Sequence, residues 1–285
     1  MFEQQLVNGL VLGSIYALGA LGFTLIYGVA RVVNFAYGEL LMLGSFITLT
    51  VMTQLNIGFF IALPVSMVAI ALTSVLVYVL TVRPVMRGTH LQALLVTTGV
   101  LYVLREVAIY FWGTAPRQMD MGLDGALEWG EIIVTHQRLL AIATMIVLVV
   151  ALYAILYRLR IGKALRAVAQ NRAGAEAIGL SVDRMIGFAF AVSGAMACAA
   201  GALIGGLYAV DPTMGSAPLL KSFVIVIFGG LGSVPGAIVG GLLIGLIETF
   251  TGSYVSFAFK DVFTFLIMIA VLLLRPAGLM GGRTA

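Results

Sequence analysis

Apolar stretches of about 20 residues recur along the chain, each long enough to cross a bilayer as a helix. Hydrophobicity and turn residues predict complete spans at about 6–28, 36–53, 59–82, 92–112, 138–157, 185–209 and 259–274. Of the 285 residues, 61% are hydrophobic and 10% are charged, whereas soluble proteins average about 45–50% and about 25%. We therefore predict an all-α polytopic membrane protein, a single transmembrane domain over residues 1–285 with about eight transmembrane helices.

An interrupted element lies before the last span. Residues 218–250 contain two apolar pieces separated by GGLGSVPG, whose glycines and proline end a helix. Because the first piece is too short to cross alone, we expect a re-entrant or discontinuous element. Lipid satisfies no backbone hydrogen bonds, so such a break must be buried in protein or line a wet cavity. Gly230 and Gly232 are therefore candidates for a translocation path.

Basic residues indicate which loops face the cytoplasm. The loop 158–184 carries six Lys or Arg residues, and the link 83–90 adds Arg83 and Arg87. The loop 113–136 has one Arg against four acidic residues. By the positive-inside rule, the first two loops are cytoplasmic, which puts the N-terminus outside and the C-terminus, with its basic tail, in the cytoplasm. No basic region precedes the first span, so we expect no cleaved signal peptide.

Four ionisable residues fall within or close to the apolar spans: Glu39, Arg105, Glu106 and Glu248. A charge at mid-bilayer costs at least about 2.5–3.5 kcal/mol, so each is a functional candidate by default. Arg105 and Glu106 point about 100° apart on a helix, and each therefore needs another partner. Glu39 and Glu248 are the two partners we consider for Arg105. The alternative to a transport role is an ion pair that holds helices together.

Polar residues also interrupt the apolar pattern at VARVVNFAYGE, residues 29–39. A broken helix here would mirror the later break at 229–236, and paired interruptions in two halves of a chain point to a central transport path. The candidates for that path are Asn34, Tyr37, Glu39, Arg105, Gly230, Gly232 and Glu248.

Small residues recur at intervals of four, as in Gly9, Gly13 and Ala17, and again in Ala237, Gly241 and Gly245. Such spacing puts them on one helix face and lets two backbones approach closely. We expect tight packing there. The alternative is a pair of faces that slide during a transport cycle.

The basic loop contains GKALRAVAQNRAGAEAIGL, residues 162–180, which predicts a short amphipathic helix too polar to span. Such a helix either touches anionic lipid headgroups or docks into a groove of a partner protein. A phosphate-binding loop is excluded, because Tyr157 and Ala164 stand where that motif needs Gly and Ser or Thr. Motifs of metal ligands or of a nucleophile with its base are also missing, so we expect neither an enzyme nor a nucleic-acid binder.

Several stretches carry a resemblance to one family. RLRIGKALRAVAQNRAGAEAIGLSVDR resembles the coupling-helix loop of LivH-type permease subunits in bacterial ATP-binding-cassette importers for branched-chain amino acids. NGLVLGSIYALGALGFTLIYGVARVVNFAYGELLMLGSF, FGGLGSVPGAIVGGLLIG and LLLRPAGLMG are similar to other parts of those permeases. The loop residues to which the resemblance assigns a coupling role are Gly162, Ala164, Arg166, Asn171, Arg172, Gly174, Ala175 and Gly179.

This resemblance implies that the chain itself holds no cofactor and that two separate cytoplasmic ATPase subunits hydrolyse ATP. Closure of the ATPases would move the membrane helices through the loop, with Arg166 and Arg172 pairing with acidic residues of the ATPase. It also implies a second, LivM-like permease subunit and a periplasmic substrate-binding protein. The implied cargo is leucine, isoleucine and valine. A urea or short-amide importer of the same family, or a stand-alone channel or ion-coupled carrier, remains an alternative.

Overall fold

The computed structural model describes residues 2–86, 88–123, 125–129 and 132–281, and most of them are helical. Arg87, Asp124, Glu131 and Arg283 lie outside the described residues. The helices are α1 (Phe2–Ala30), α2 (Tyr37–Leu55), α3 (Phe59–Val85), α4 (His90–Trp112), α5 (His136–Arg158), α6 (Arg160–Gln170), α7 (Arg172–Ala177), α8 (Val182–Leu207), α9 (Ser216–Gly229), α10 (Val234–Tyr254) and α11 (Lys260–Leu274). Two short strands, β1 (Ala126–Trp129) and β2 (Ile132–Thr135), form an antiparallel hairpin before α5.

Within this described part of the chain, eight helices are long and apolar enough to cross a membrane, and α9 is a shorter apolar helix. The last of the eight includes the 3₁₀ turn Phe257–Phe259 that leads into α11. The predicted all-α polytopic fold is confirmed, and so is the re-entrant element, which is the pair α9–α10. The hairpin β1–β2 was not anticipated from the sequence.

The bundle has two ends that differ in what covers them. At the start of α1, Gln4 Nε2 donates to the carbonyl of Ile133 at 3.0 Å, which places this end beside the β-hairpin. At the end of α1, Arg31 donates to the carbonyl of Ala169 in α6 at 3.3 Å. We call the first end the hairpin face and the second the loop face. The C-terminal tail also reaches the loop face, because Leu279 N donates to the carbonyl of Phe228 at 2.9 Å.

Helices α1 and α10 pack closely through their small residues. A Cβ atom added to Gly13 would lie 2.8 Å from Cα of Leu242, and one added to Gly241 would lie 2.5 Å from Cα of Ala17. Separations this short leave no space for side chains between the two backbones. The predicted close packing of the small-residue faces is therefore confirmed for α1 against α10.

The chain re-enters the bundle after α1. Helix α1 ends at Ala30, and Arg31 reverses the direction in a left-handed conformation with φ 54°. Residues 31–36, the first return segment, are non-helical. The hydroxyl of Tyr37 donates to the carbonyl of Gly19 at 2.7 Å, a residue about 16 Å along the axis from the end of α1. Helix α2 therefore begins inside the bundle, and the interruption predicted within residues 29–39 is confirmed.

A second return segment, residues 208–215, follows α8. Val210 folds back on Gly205 and forms a pair of backbone hydrogen bonds with Arg117, each 2.8 Å long. Helix α9 then starts at Ser216, next to the start of α2. With 14 residues it is about 21 Å long, shorter than the bilayer core of about 30 Å. It runs to the loop face, where a turn reverses the chain into α10.

The directions of the helices show that the two halves of the chain have the same arrangement with opposite orientation across the bundle. Helices α1 to α4 and α8 to α11 cross the bundle in the same order but in opposite senses, and the segments 31–36 and 208–215 occupy equivalent places. The break at 229–236 was predicted to mirror the first interruption, and this prediction is wrong. Its glycines form a tight turn at the loop face, whereas the true counterpart contains DPTMG, which looks like an ordinary connecting loop in the sequence.

Candidate translocation site and coupling loop

The N-terminal ends of α2 and α9 meet inside the bundle. A Cβ on Gly38 would lie 2.5 Å from the carbonyl oxygen of Gly215, so glycine is required for this approach. Each helix N-terminus carries a partial positive charge from its unpaired N–H groups. Glu39, in the first turn of α2 and only 1% exposed, puts a carboxylate beside this junction. The two half-helices thus create a polar point in the interior of an apolar bundle.

Arg105 of α4 links the first turns of both half-helices. Its Nη2 lies 2.6 Å from Oε1 of Glu39 and 2.8 Å from Oγ of Ser216. Of the two partners considered from the sequence, Glu39 is therefore correct and Glu248 is not. Glu106 is exposed on another face of α4, beside Tyr102 and Tyr110.

Polar atoms around this junction have unused hydrogen-bonding capacity. Oε2 of Glu39, Nε of Arg105 and Nδ2 of Asn34 are buried without a partner among the described residues. Oδ1 of Asn34 accepts from the backbone of Ala36 at 3.1 Å, which shapes the turn into α2. Burying an unpaired polar atom costs about 1–3 kcal/mol, so a fold retains such atoms where they serve another purpose. The structure brings Glu39 and Arg105 together here, whereas Asn34 lies in the segment that leads into α2 and the Tyr37 hydroxyl bonds to Gly19 of α1.

Glu248 belongs to a second charged cluster, between α9, α10 and α11. Oε2 of Glu248 lies 2.8 Å from Nζ of Lys221 and accepts from the Tyr16 hydroxyl at 3.0 Å, while Oε1 lies 3.2 Å from Nζ of Lys260. Lys221 also pairs with Asp261. Glu248 is 3% exposed. Sequence reasoning selected Glu248 but missed Lys221, although one lysine within PLLKSFVIVIF was a usable signal.

A cavity of about 440 Å³ adjoins this second cluster. Tyr16, Lys221, Glu248 and Lys260 contribute its polar groups. Its remaining walls are largely apolar and include Leu12, Ile15, Ile204, Met214, Pro218 and Phe257. Tyr208 and Ser253, near the hairpin-face ends of α8 and α10, complete the lining, so the cavity lies toward that face.

Gly230 and Gly232 do not join either cluster. Both have positive φ values, 108° and 81°, which explains why the turn uses glycine. Gly230 is buried against the backbone of Gly278 and Gly281 in the C-terminal tail, and Gly232 is exposed beside Gly28. The structure therefore separates these two glycines from Glu39 and Arg105, because the break that contains them lies at the loop face.

The loop between α5 and α8 contains two short helices, α6 and α7, where the sequence predicted one. Asn171 has extended backbone angles, φ −151° and ψ 104°, and its side chain accepts from the N–H of Gly174 at 2.9 Å. Asparagine is a favoured N-cap residue. Here Asn171 interrupts the helix, so that α6 ends before it and α7 begins after it. The prediction of a single helix is therefore wrong.

The predicted coupling residues divide into buried and exposed groups. Gly162 and Ala175 are buried, and a Cβ on Gly162 would collide with the carbonyls of Ile155 and Leu156 at the end of α5. Ala164 is partly buried. Arg166, Asn171, Gly174 and Gly179 are exposed. Ile178, which sequence reasoning did not single out, is 74% exposed at the tip of the loop.

Arg172, expected from the resemblance to pair with an ATPase carboxylate, contacts the end of α1 within the chain. Its Nη2 donates to the carbonyl of Val29 at 3.1 Å and also to that of Ala30, at the end of α1. Burial and the nearby Arg31 guanidinium lower the pKa of Arg172. A cation is favourable at a helix C-terminus, where the carbonyls are unpaired. Arg166 lies instead over the ring of Tyr157, 4.7 Å from its centroid, and remains accessible.

Comparison with known proteins places this geometry in a family. Residues 5–272 match the model described as branched-chain amino acid transport system / permease component. The chain is 33% identical to the high-affinity branched-chain amino acid transport system permease protein LivH of Escherichia coli (strain K12), over 98% of this chain and 96% of that relative. It is 32% identical to the permease protein BraD of Pseudomonas aeruginosa, with the same coverage.

A third relative, the probable branched-chain amino acid transport permease protein LivH of Methanocaldococcus jannaschii, is 30% identical over 98% of this chain and 93% of its own length. No solved structure was found to match the chain. The match extends from α1 to α11 and includes both half-helices and the loop between α5 and α8. The chain is a multi-pass membrane protein and belongs to the family of branched-chain amino acid transport system permease components.

Proposed function

We propose that this chain is the permease subunit of an ATP-binding-cassette importer that moves leucine, isoleucine and valine into the cytoplasm. The observation that carries the proposal is the family match over residues 5–272, with relatives named for branched-chain amino acid transport that align over nearly their whole length. Those names do not favour a urea or amide importer. Family membership implies that other subunits complete the transport system.

The proposed orientation has the loop face in the cytoplasm. Arg83 at the end of α3, the basic residues of α6 and α7, and Arg275 after α11 all lie toward that face, whereas the hairpin face has few basic residues. The positive-inside rule supports this assignment. It puts the N-terminus outside and the C-terminus inside a bacterial inner membrane.

The proposed partners follow from what each face offers. The loop tip, where Gly174, Ile178 and Gly179 are exposed, would contact one of the two ATPase subunits, and the second permease would contact the other. A periplasmic binding protein would deliver the amino acid at the hairpin face. A second, LivM-like permease would complete the membrane unit.

In this account the loop has two mechanical parts. Its exposed tip contacts the ATPase, and its buried residues transmit the motion. Gly162 seats α6 against α5, and Arg172 fastens α7 to the end of α1. Movement of the tip would therefore reach α1 directly, and alternating access follows if the two ATPase states bind different loop positions.

The proposed path passes the junction of α2 and α9. Glu39 and Arg105 lie at that junction, and Asn34 and Tyr37 belong to the segment and the first turn that lead into it. Discontinuous helices with polar N-termini are typical of transporter sites. Unpaired atoms of Glu39, Arg105 and Asn34 would meet a passing solute or water.

Reconstitution tests the proposed function. The chain is co-expressed with its neighbouring transporter genes, purified as a complex and placed in proteoliposomes with the binding protein. We expect ATP-dependent uptake of labelled leucine that unlabelled isoleucine and valine inhibit and urea does not. Uptake of urea instead of leucine, or leucine uptake by this chain alone without ATP, would contradict the proposal.

Two loop variants test the coupling role. Arg166→Glu and Gly174→Trp change exposed positions, so we expect at least a tenfold loss of ATP-dependent uptake with normal insertion. Glu3→Lys, an equally exposed charge reversal near the start of α1, is the matched control and should retain uptake. Full uptake by both loop variants would show that the loop tip does not dock on the ATPase.

A further inference from the structure

We propose that the cavity beside Glu248 binds one aliphatic amino acid in its zwitterionic form, with Lys260 holding the carboxylate and Glu248 holding the ammonium group. This inference rests on the proposed function for the class of cargo. It assigns a solute site to a cavity that adjoins the start of α9, through Met214, Ala217 and Pro218, and that opens toward the hairpin face.

The size and walls of the cavity fit this class of ligand. Its volume of about 440 Å³ falls within the range of about 300–1,000 Å³ that is typical of small-molecule sites. Side chains from α1 and α8, including Leu12, Ile15 and Ile204, give it an aliphatic wall. Burial of a branched alkyl chain against such a wall is favourable by about 0.8 kcal/mol for each CH₂ group.

The charged groups are arranged as a zwitterion requires. Lys260 Nζ lies 3.2 Å from Oε1 of Glu248 and 4.3 Å from the centroid of the Phe257 ring, and its side chain is 28% exposed. An ammonium group has three donors, so Lys260 keeps donors for a ligand carboxylate. A carboxylate oxygen accepts two hydrogen bonds, so Oε1 of Glu248 has room for a ligand ammonium.

The rest of the cluster holds these two groups in place. Lys221 and the Tyr16 hydroxyl occupy the other oxygen of Glu248, at 2.8 and 3.0 Å. Asp261 balances the charge of Lys221 from the side of α11. With two lysines and two carboxylates, the cluster is neutral by formal charge. A neutral zwitterion can therefore enter without leaving an excess charge in the bundle, whereas a solute with a net charge cannot.

The mouth of the cavity faces the side from which an imported solute would arrive. Tyr208, 66% exposed, and Ser253, also exposed, lie at the hairpin-face ends of α8 and α10. With the loop face in the cytoplasm, this mouth opens on the outer side of the membrane.

Protection of an introduced cysteine from alkylation tests this site. Ser253→Cys adds a thiol at the mouth, and the native Cys198 is fully buried and gives little background. In the assembled complex in nanodiscs without ATP, we expect saturating leucine or isoleucine to slow labelling by a polar maleimide at least threefold. Thr53→Cys, exposed on α2 and outside the cavity, is the control and should label at the same rate with and without leucine.

Leucine analogues test the assignment of the two charges. Leucinamide lacks the carboxylate and 4-methylpentanoate lacks the ammonium group, so neither should protect the introduced thiol at concentrations where leucine does. Protection of equal strength by either analogue would overturn the zwitterion assignment.

Variants of the cluster separate ligand contact from support of the fold. In the Ser253→Cys background, Lys260→Gln and Glu248→Gln should abolish protection by leucine. Glu128→Gln, an exposed carboxylate of β1 outside both the cluster and the cavity, is the control and should keep it. Retained protection in both Lys260→Gln and Glu248→Gln would refute the proposed contacts.

The outcome also distinguishes this inference from the proposed function. If the complex imports leucine but leucine does not protect the introduced thiol, the site is wrong and the importer stands. If leucine is neither imported nor protective, the proposed function fails as well.

Discussion

The two charged clusters hold equivalent half-helices in opposite ways. On α2 the charge is an acid, Glu39, which has a salt bridge with Arg105. On α9 it is a base, Lys221, which contacts two carboxylates, and one of these has two further partners, Lys260 and Tyr16. The first cluster has buried atoms without partners among the described residues, and the second adjoins a cavity.

Because of this difference, we expect substitutions of the paired cations to destabilise the two half-helices to different extents. Loss of Arg105 leaves the Glu39 carboxylate buried, with no other cation paired with it among the described residues. Loss of either lysine of the second cluster still leaves one cation beside Glu248. The cluster of Glu39 and Arg105 should therefore be rigid, and the cluster around Glu248 should be able to rearrange around a ligand.

Arg105→Ala should have the largest effect on stability. We expect a loss of about 3–5 kcal/mol in the free energy of unfolding, because one partner of a buried ion pair is removed. Unfolding in mixed micelles measures it. Glu3→Ala, an exposed charge at the start of α1 and outside the predicted span 6–28, is the control and should change stability by less than about 0.5 kcal/mol. Equal losses of unfolding free energy in both variants would show that the Glu39–Arg105 ion pair does not stabilise the fold in particular.

Lys221→Ala should have an intermediate effect. Glu248 keeps Lys260 and the Tyr16 hydroxyl as partners, so we expect a loss of about 1–3 kcal/mol, below that of Arg105→Ala in the same assay. A loss larger than that of Arg105→Ala would show that the second cluster is the stiffer one, which reverses the comparison.

Lys260→Ala should have the smallest effect on stability, about 1 kcal/mol or less, because its side chain is partly exposed and Lys221 still neutralises Glu248. The same variant should eliminate leucine protection of the thiol introduced by Ser253→Cys. A stability loss as large as that of Lys221→Ala would place Lys260 among the structural residues and not at the ligand.

Much of the fold was predictable from local pattern. Uninterrupted apolar windows located the spans to within a few residues, since lipid tolerates few alternatives to a helix. The polar residues around Asn34 marked the first return segment for the same reason. The pairing of Arg105 with Glu39 was narrowed to two candidates but not decided, because a sequence does not record which helices are neighbours.

Other features depend on tertiary context. The return segment 208–215 contains Pro212 and Gly215, as a surface loop would, and only the fold of Val210 back onto Gly205 shows that it re-enters. Asn171 divided a stretch of good helix formers that predicted one helix, although asparagine is a known start signal for helices. Arg172 was assigned to a partner because its contact with α1 joins residues that are far apart in the sequence.

The contact between Arg172 and the last carbonyls of α1 also affects how far a local displacement can spread. Helix α1 and helix α10 approach backbone to backbone at Gly13 and Gly241, where no long side chain separates them. A pull on α7 therefore cannot be absorbed by rotamer changes along this route, and must shift both helices together or break the link at Arg172. Through this contact, a displacement of α1 at the loop face would be transmitted to α10 across the thickness of the membrane.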